Sequence, residues 1–298
     1  MRRIFELSML CLAAGVVSAC KPDEVLSSPA VPTAGVRFIN AVPDTAGAGG
    51  LDFRFVDIVD NNNALFGITF RNSPQTSGGV TSSTSIQYKP AQAGARHFRI
   101  FLDGTLQTIA STVLKDSTAS LEAGHNYTFL LWGNARSSGS DKMRLSVIDE
   151  NIADPGSQVA LRVINTTGSA IDVRTYPSSG TVPSSPTWAN VAAYSISTFV
   201  NAAPSQIRYN VQPAGGGTAL FSDALAIPGQ GVGAVVGGCT VGVDCDVTPG
   251  TTVAGSAVTL IVFPKSASGR GIPSFSSVGG TFMWDRRPKQ SCTASFGC

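Results

Sequence analysis

Six charged residues recur in matching places along this chain. Val36-Arg37-Phe38-Ile39-Asn40 leads to Leu51-Asp52-Phe53-Arg54, and Leu161-Arg162-Val163-Ile164-Asn165 leads to Ile171-Asp172-Val173-Arg174. An Asp and an Arg two positions apart on a strand share a face, and an arginine on the preceding strand could stand opposite them. Such a set could form a polar ligand-binding patch used twice. The apolar alternation around it already explains the spacing. Arg37, Asp52, Arg54, Arg162, Asp172 and Arg174 are therefore expected to form a surface polar patch on the outward face of the first hairpin of each copy. Charge pairs there contribute at most about 1 kcal/mol each.

The other reactive residue types are sparse. Asp44 could bind a cation together with Asp57 and Asp60, but Asp60-Asn61-Asn62-Asn63 lacks the glycine and terminal glutamate of a calcium loop. Turn formation by these side chains is the simpler expectation. The two histidines, His97 and His125, have no neighbouring histidine, and no H-E-x-x-H pair or G-x-S-x-G elbow is present. Pro228-Gly229-Gln230-Gly231-Val232-Gly233 follows no parallel-sheet pattern and opens no helix, so it reads as a glycine-rich loop or strand bend. No metal, cofactor or catalytic residue is expected. Trp132, Trp188 and Trp284 could form a sugar-stacking platform, with core packing as the simpler role of each.

The cysteines carry more information. Cys239 and Cys245 enclose Thr-Val-Gly-Val-Asp, and Cys292 and Cys298 enclose Thr-Ala-Ser-Phe-Gly, the same spacing twice. An even count in an exported chain argues for disulfides, and local pairing is preferred among the three connectivities that four cysteines allow. The spacing exceeds that of a usual zinc knuckle, and no C-x-x-C redox pair is present.

The elements that must position these residues are strands. Charged residues make up 13% of the 298 positions, against about 25% in an ordinary soluble domain, while 32 glycines and many β-formers suit an all-β extracellular chain. A hydrophobic content of 43% is enough for a core, and a net charge of +2 without basic runs argues against nucleic acid. Helical periodicity is nowhere sustained, and turn signals recur about every ten residues. The expected fold is all-β, two tandem antiparallel β-sandwiches of immunoglobulin-like size, over 36–151 and 159–288, with a cysteine-containing tail at 289–298. In the first, Asp103-Gly104 between His97–Leu102 and Thr105–Ile109 predicts a tight type I′ hairpin. In the second, Ala254-Gly255-x-x-Val258-Thr259 repeats Ala123-Gly124-x-x-Tyr127-Thr128.

The N-terminus addresses the compartment. Met1-Arg2-Arg3 is a basic opening, and Leu7–Val17 is an apolar stretch too short to span a bilayer, so residues 1–19 read as a signal peptide. Val17-Ser18-Ala19-Cys20 resembles the bacterial lipobox, which makes Cys20 the expected lipidation site and the lipid the link to the membrane. Lys21, standing where an aspartate would favour retention at the inner membrane, points to the outer membrane. Residues 20–35, rich in Pro, Ser and Ala, form the expected tether.

Val36-Arg37-Phe38-Ile39-Asn40-Ala41-Val42-Pro43-Asp44 with Leu51-Asp52-Phe53 resembles the opening of the bacterial family called domain of unknown function 4397. The Leu102-Asp103-Gly104 segment and the Ala-Gly-x-x-[Tyr/Val]-Thr strand are similar to it too. The second half lacks Pro-Asp, having Thr166-Thr167-Gly168-Ser169 instead, and reads as a divergent copy. The resemblance implies a cell-envelope or secreted β-sandwich, often lipid-anchored, and brings no active site. The expected function is a non-catalytic, lipid-anchored envelope module for binding, adhesion or scaffolding, with an unidentified protein or glycan ligand. The alternative is a carbohydrate-active or other envelope enzyme or accessory protein.

Overall fold

Two β-sandwiches stand back to back. The computed structural model describes residues 31–45, 50–58, 68–72, 80–82, 86–236, 238–242, 246–267 and 274–288. The expected signal peptide, Cys20, Asp60–Asn63, Cys245 and the tail with Cys292 and Cys298 lie outside them; Cys239 is described in its backbone alone.

The strands are β1 (Thr33–Ala41), β2 (Gly50–Phe55), β3 (Val80–Ser82), β4 (Lys89–Gln92), β5 (Gly94–Asp103), β6 (Val113–Leu121), β7 (Asn126–Trp132) and β8 (Arg144–Asp149). The second half continues with β9 (Val159–Asn165), β10 (Ile171–Pro177), β11 (Trp188–Val191), β12 (Ser195–Ile196), β13 (Val200–Ala202), β14 (Ile207–Pro213) and β15 (Phe221–Leu225). A small hairpin of β16 (Val235–Val236) and β17 (Cys239–Thr240) precedes β18 (Ala257–Phe263) and β19 (Gly279–Arg286).

In the first sandwich an outer sheet, β2-β5-β6, covers an inner sheet, β4-β1-β7-β8. Leu51, Phe98 and Ile100 from the outer sheet meet Phe38, Phe129 and Leu131 from the inner one. The second repeats the plan, with outer sheet β11-β10-β14-β15 over inner sheet β12-β9-β18-β19. Val173, Tyr209 and Val211 there meet Leu161, Val163, Leu260 and Phe282. Most pairings are antiparallel, but β1 pairs with β7 in parallel in the first inner sheet, as β9 does with β18 in the second.

The two inner sheets also pack against each other. Ile39, Ala41, Leu130 and Trp132 of the first meet Ile164, Ile261, Phe263 and Met283 of the second in a third core. Strands β1, β7, β9 and β18 are thus buried on both faces, which accounts for their nearly continuous apolar runs. From Thr33 onward the chain forms one compact unit. Two features cross the seam. β3 adds to the second sandwich beside β19, in parallel, so residues from within 36–151 complete a sheet of the second half. Arg71, buried with φ 63°, donates to the carbonyls of Pro264 (2.6 Å) and Ser277 (2.5 Å) and stacks on Phe275 at 4.1 Å. Burial pulls its pKa down to about 10.

Two local expectations are corrected. β1 and β2 lie in different sheets, as do β9 and β10, so the opening pair of strands is not a hairpin in either half. Asp103-Gly104 is not a tight turn either. The partner of β5 begins at Val113, after a single helical turn at Gln107–Ala110. Neither Asp103 nor Gly104 takes the positive φ that a type I′ turn requires. Gly104 instead admits Ile109, whose Cγ2 would lie 2.8 Å from any added Cβ.

Candidate functional site: the charged seam and its cleft

The repeat places Arg37 and Arg162 at one spot. Arg37 stands opposite Thr128 in the β1–β7 register, and Arg162 opposite Thr259 in β9–β18. Each arginine donates its Nε–H to that threonine, at 2.8 and 2.9 Å. The acids arrive from the neighbouring strands. Glu150 follows β8, where its N–H donates to the Asn126 carbonyl. Asp285 is the extra residue of a bulge in β19, since Ala257 faces Arg286 while the next residue, Val258, faces Trp284. The bulge turns Asp285 toward the seam.

There the four ions form one neutral cluster. Arg37 Nη2 contacts Glu150 Oε1 (3.3 Å) and Asp285 Oδ1. Arg162 Nη2 contacts Glu150 Oε1 (2.9 Å) and Asp285 Oδ2 (3.3 Å). Thr128 donates to Glu150 at 2.8 Å, and Thr259 donates to Asp285. No side chain of the four is more than 5% exposed. Burial alone would lower both arginine pKa values, but the Asp285 and Glu150 carboxylates outweigh it and hold both above the ordinary range. Tyr88 stacks under Arg37 at 4.4 Å and Phe199 under Arg162 at 4.5 Å. Burial also drives the Tyr88 phenol well above its usual pKa, so it stays protonated.

The expected surface patch is therefore divided. Arg37 and Arg162 are not on a solvated face; the face opposite each sandwich core is a second dry interface. Asp52 and Arg54 do lie on an exposed face, where Arg54 Nε donates to Asp52 Oδ2 at 2.7 Å. Asp172 is buried instead, accepting from the backbone N–H groups of Asn190 (2.7 Å) and Gly215 (3.1 Å). Arg174 donates to the Ser184 carbonyl and to Gln212 Oε1. None of the outer residues joins the seam.

The remaining candidates are scattered. Asp44 accepts from the amides of Ala135 (2.7 Å) and Arg136 (2.9 Å), and Asp57 pairs with Arg96. His97 pairs with Asp116, and His125 Nδ1 lies 3.0 Å from Asp149. In the glycine-rich loop, Gly229 packs on the backbone of Gly250, too close for a Cβ on either. Trp132 and Trp188 are buried in separate cores, so the three tryptophans form no platform. Among the described residues, no group of three or more His, Cys, Asp or Glu could hold a metal.

Over one end of the seam lies an open cleft of about 450 Å³, lined by Tyr88, His125, Asn126, Glu150, Trp284 and Arg287 among others. The Tyr88 and Trp284 rings meet edge to face at 5.6 Å. The exposed Arg287 stacks on the Trp284 ring at 4.6 Å. Thr128, Thr259, Glu150, Asp285 and this cleft escape a reading of the repeat alone. The signal that could have found the two threonines is the Thr shared by both Ala-Gly-x-x-[Tyr/Val]-Thr strands.

No curated protein matches the chain. The model of the family described as "Domain of unknown function (DUF4397)" matches residues 34–176, from β1 through most of β10, and over that span the chain belongs to this family.

Proposed function

We propose that this chain is a non-catalytic, lipid-anchored module of the bacterial envelope, held at the outer membrane through Cys20, that binds or scaffolds a protein or glycan partner. The second sandwich is a divergent copy of the first, and Cys239–Cys245 and Cys292–Cys298 close local disulfides. The observation that carries the reading is the charged seam. The recurring Arg37 and Arg162 are buried there and neutralised by Glu150 and Asp285. What remains for partners is a rigid double sandwich with a polar cleft, a geometry suited to recognition.

The test is retention of the full-length chain, in detergent micelles, on purified peptidoglycan and on a glycan array. Specific retention without product supports the reading; turnover of any glycan overturns the non-catalytic assignment. Metabolic labelling with a palmitate analogue is expected to mark the wild type and not Cys20→Ala.

A further inference from the structure

Two buried polar atoms of cleft-lining residues, Glu150 Oε2 and the Tyr88 hydroxyl, have no hydrogen-bond partner among the described residues. Glu150 Oε1 meets Arg37, Arg162 and Thr128, whereas Oε2 is buried and has no partner among the described residues. A buried carboxylate oxygen left unsatisfied is destabilising, so a site that keeps one has use for a donor there. The charge balance decides what kind. Two arginines already neutralise Glu150 and Asp285, so an ammonium ion or a metal would bring an uncompensated charge into a buried setting. A neutral O–H or amide N–H adds a hydrogen bond without that cost.

The same cleft presents an aromatic face. Trp284 is only partly buried, and an exposed guanidinium already lies on its ring. A face open to that planar group is open to the C–H face of a sugar ring. Asn126 and His125 add donors and acceptors around it, and about 450 Å³ holds one or two rings.

We propose that the seam cleft binds a short glycan segment of one or two sugar rings, stacked on Trp284, with a hydroxyl or acetamido group donating to Glu150. Arg287 moves off the ring and pairs with a carboxylate where the sugar carries one. The proposal rests on the binding-module reading above and names its ligand class and site.

The experiment is calorimetric titration of the full-length chain in detergent micelles with three probes: N,N′-diacetylchitobiose, a muropeptide disaccharide and cellobiose. Half-saturation at or below about 1 mM is expected for at least one probe. Trp284→Ala is expected to weaken it ten-fold or more with the fold intact by circular dichroism. Arg287→Glu, at an exposed position, is expected to weaken the muropeptide selectively and leave the neutral probes unchanged. Absence of heat with every probe at 10 mM overturns the proposal and leaves Oε2 to a structural water. Binding that survives both variants also overturns it, while leaving the binding-module reading in place. Turnover of a bound probe would instead overturn the non-catalytic reading and keep the site.

Discussion

Asp52 of the first sandwich and Asp172 of the second occupy the same place in the sequence repeat and do different work. Asp52 lies on an exposed strand beside Arg54, whereas Asp172 is buried and holds two loop amides. Arg37 and Arg162 behave in the opposite way. Both reach the seam, both donate to the threonine opposite, and both meet the same two carboxylates. Asn40 and Asn165 agree as well, each accepting from the amide two residues on at 3.0 Å to close its strand. The repeat is thus faithful where the two halves touch and free to differ on the outer sheets. A residue at the seam is constrained by both sandwiches, whereas one on an outer sheet answers only to its own loops.

That contrast can be broken or sharpened by substitution. The largest effect is expected for Arg162→Met, which leaves buried carboxylates short of a counter-charge; a loss of about 3–5 kcal/mol in urea unfolding would match the contrast. Next comes Asp172→Ala, which strips two loop amides of their carboxylate acceptor and is expected to cost about 1–3 kcal/mol by the same measurement. Its counterparts Asp52→Ala and Arg54→Ala are expected to cost about 0.5 kcal/mol or less, since Arg54 is 64% exposed. A loss at Asp52 equal to that at Asp172 would erase the distinction between the outer sheets.

The smallest effect concerns pH. The hydrogen bond to Asp149 raises the His125 pKa above its ordinary 6.5. A raised histidine stabilises the fold below the unfolded value, and the contribution is lost as pH rises through the folded one. Stability is therefore expected to fall slightly from about pH 6.5 upward. Asp149→Asn should bring the NMR titration of His125 back toward 6.5.

The strands themselves were legible because alternation and turn chemistry are local. β7 and β18 lie where the Ala-Gly-x-x-[Tyr/Val]-Thr runs place them. The seam was not, because a period of two shows which residues share a face and not what covers it. Ile39 and Ile164 share a face with the arginines, and that apolar company was the available sign of a second buried interface. Nor did the repeat predict Asp285, whose inward position depends on a bulge. Asp103-Gly104 misled for a related reason: the dipeptide permits a tight turn, while the packing of Ile109 against Gly104 favours a longer one.

The central claim is that the paired arginines make the two sandwiches one cooperative body. Hydrogen exchange with mass spectrometry on Arg37→Met tests it directly, because the substitution lies in the first sandwich while β14 reports from the outer sheet of the second. Protection of Ile207–Pro213 is expected to fall about a hundred-fold or more, in step with β5, matching a loss of about 3 kcal/mol. Protection of β14 that stays at the wild-type level while β5 opens would contradict the account.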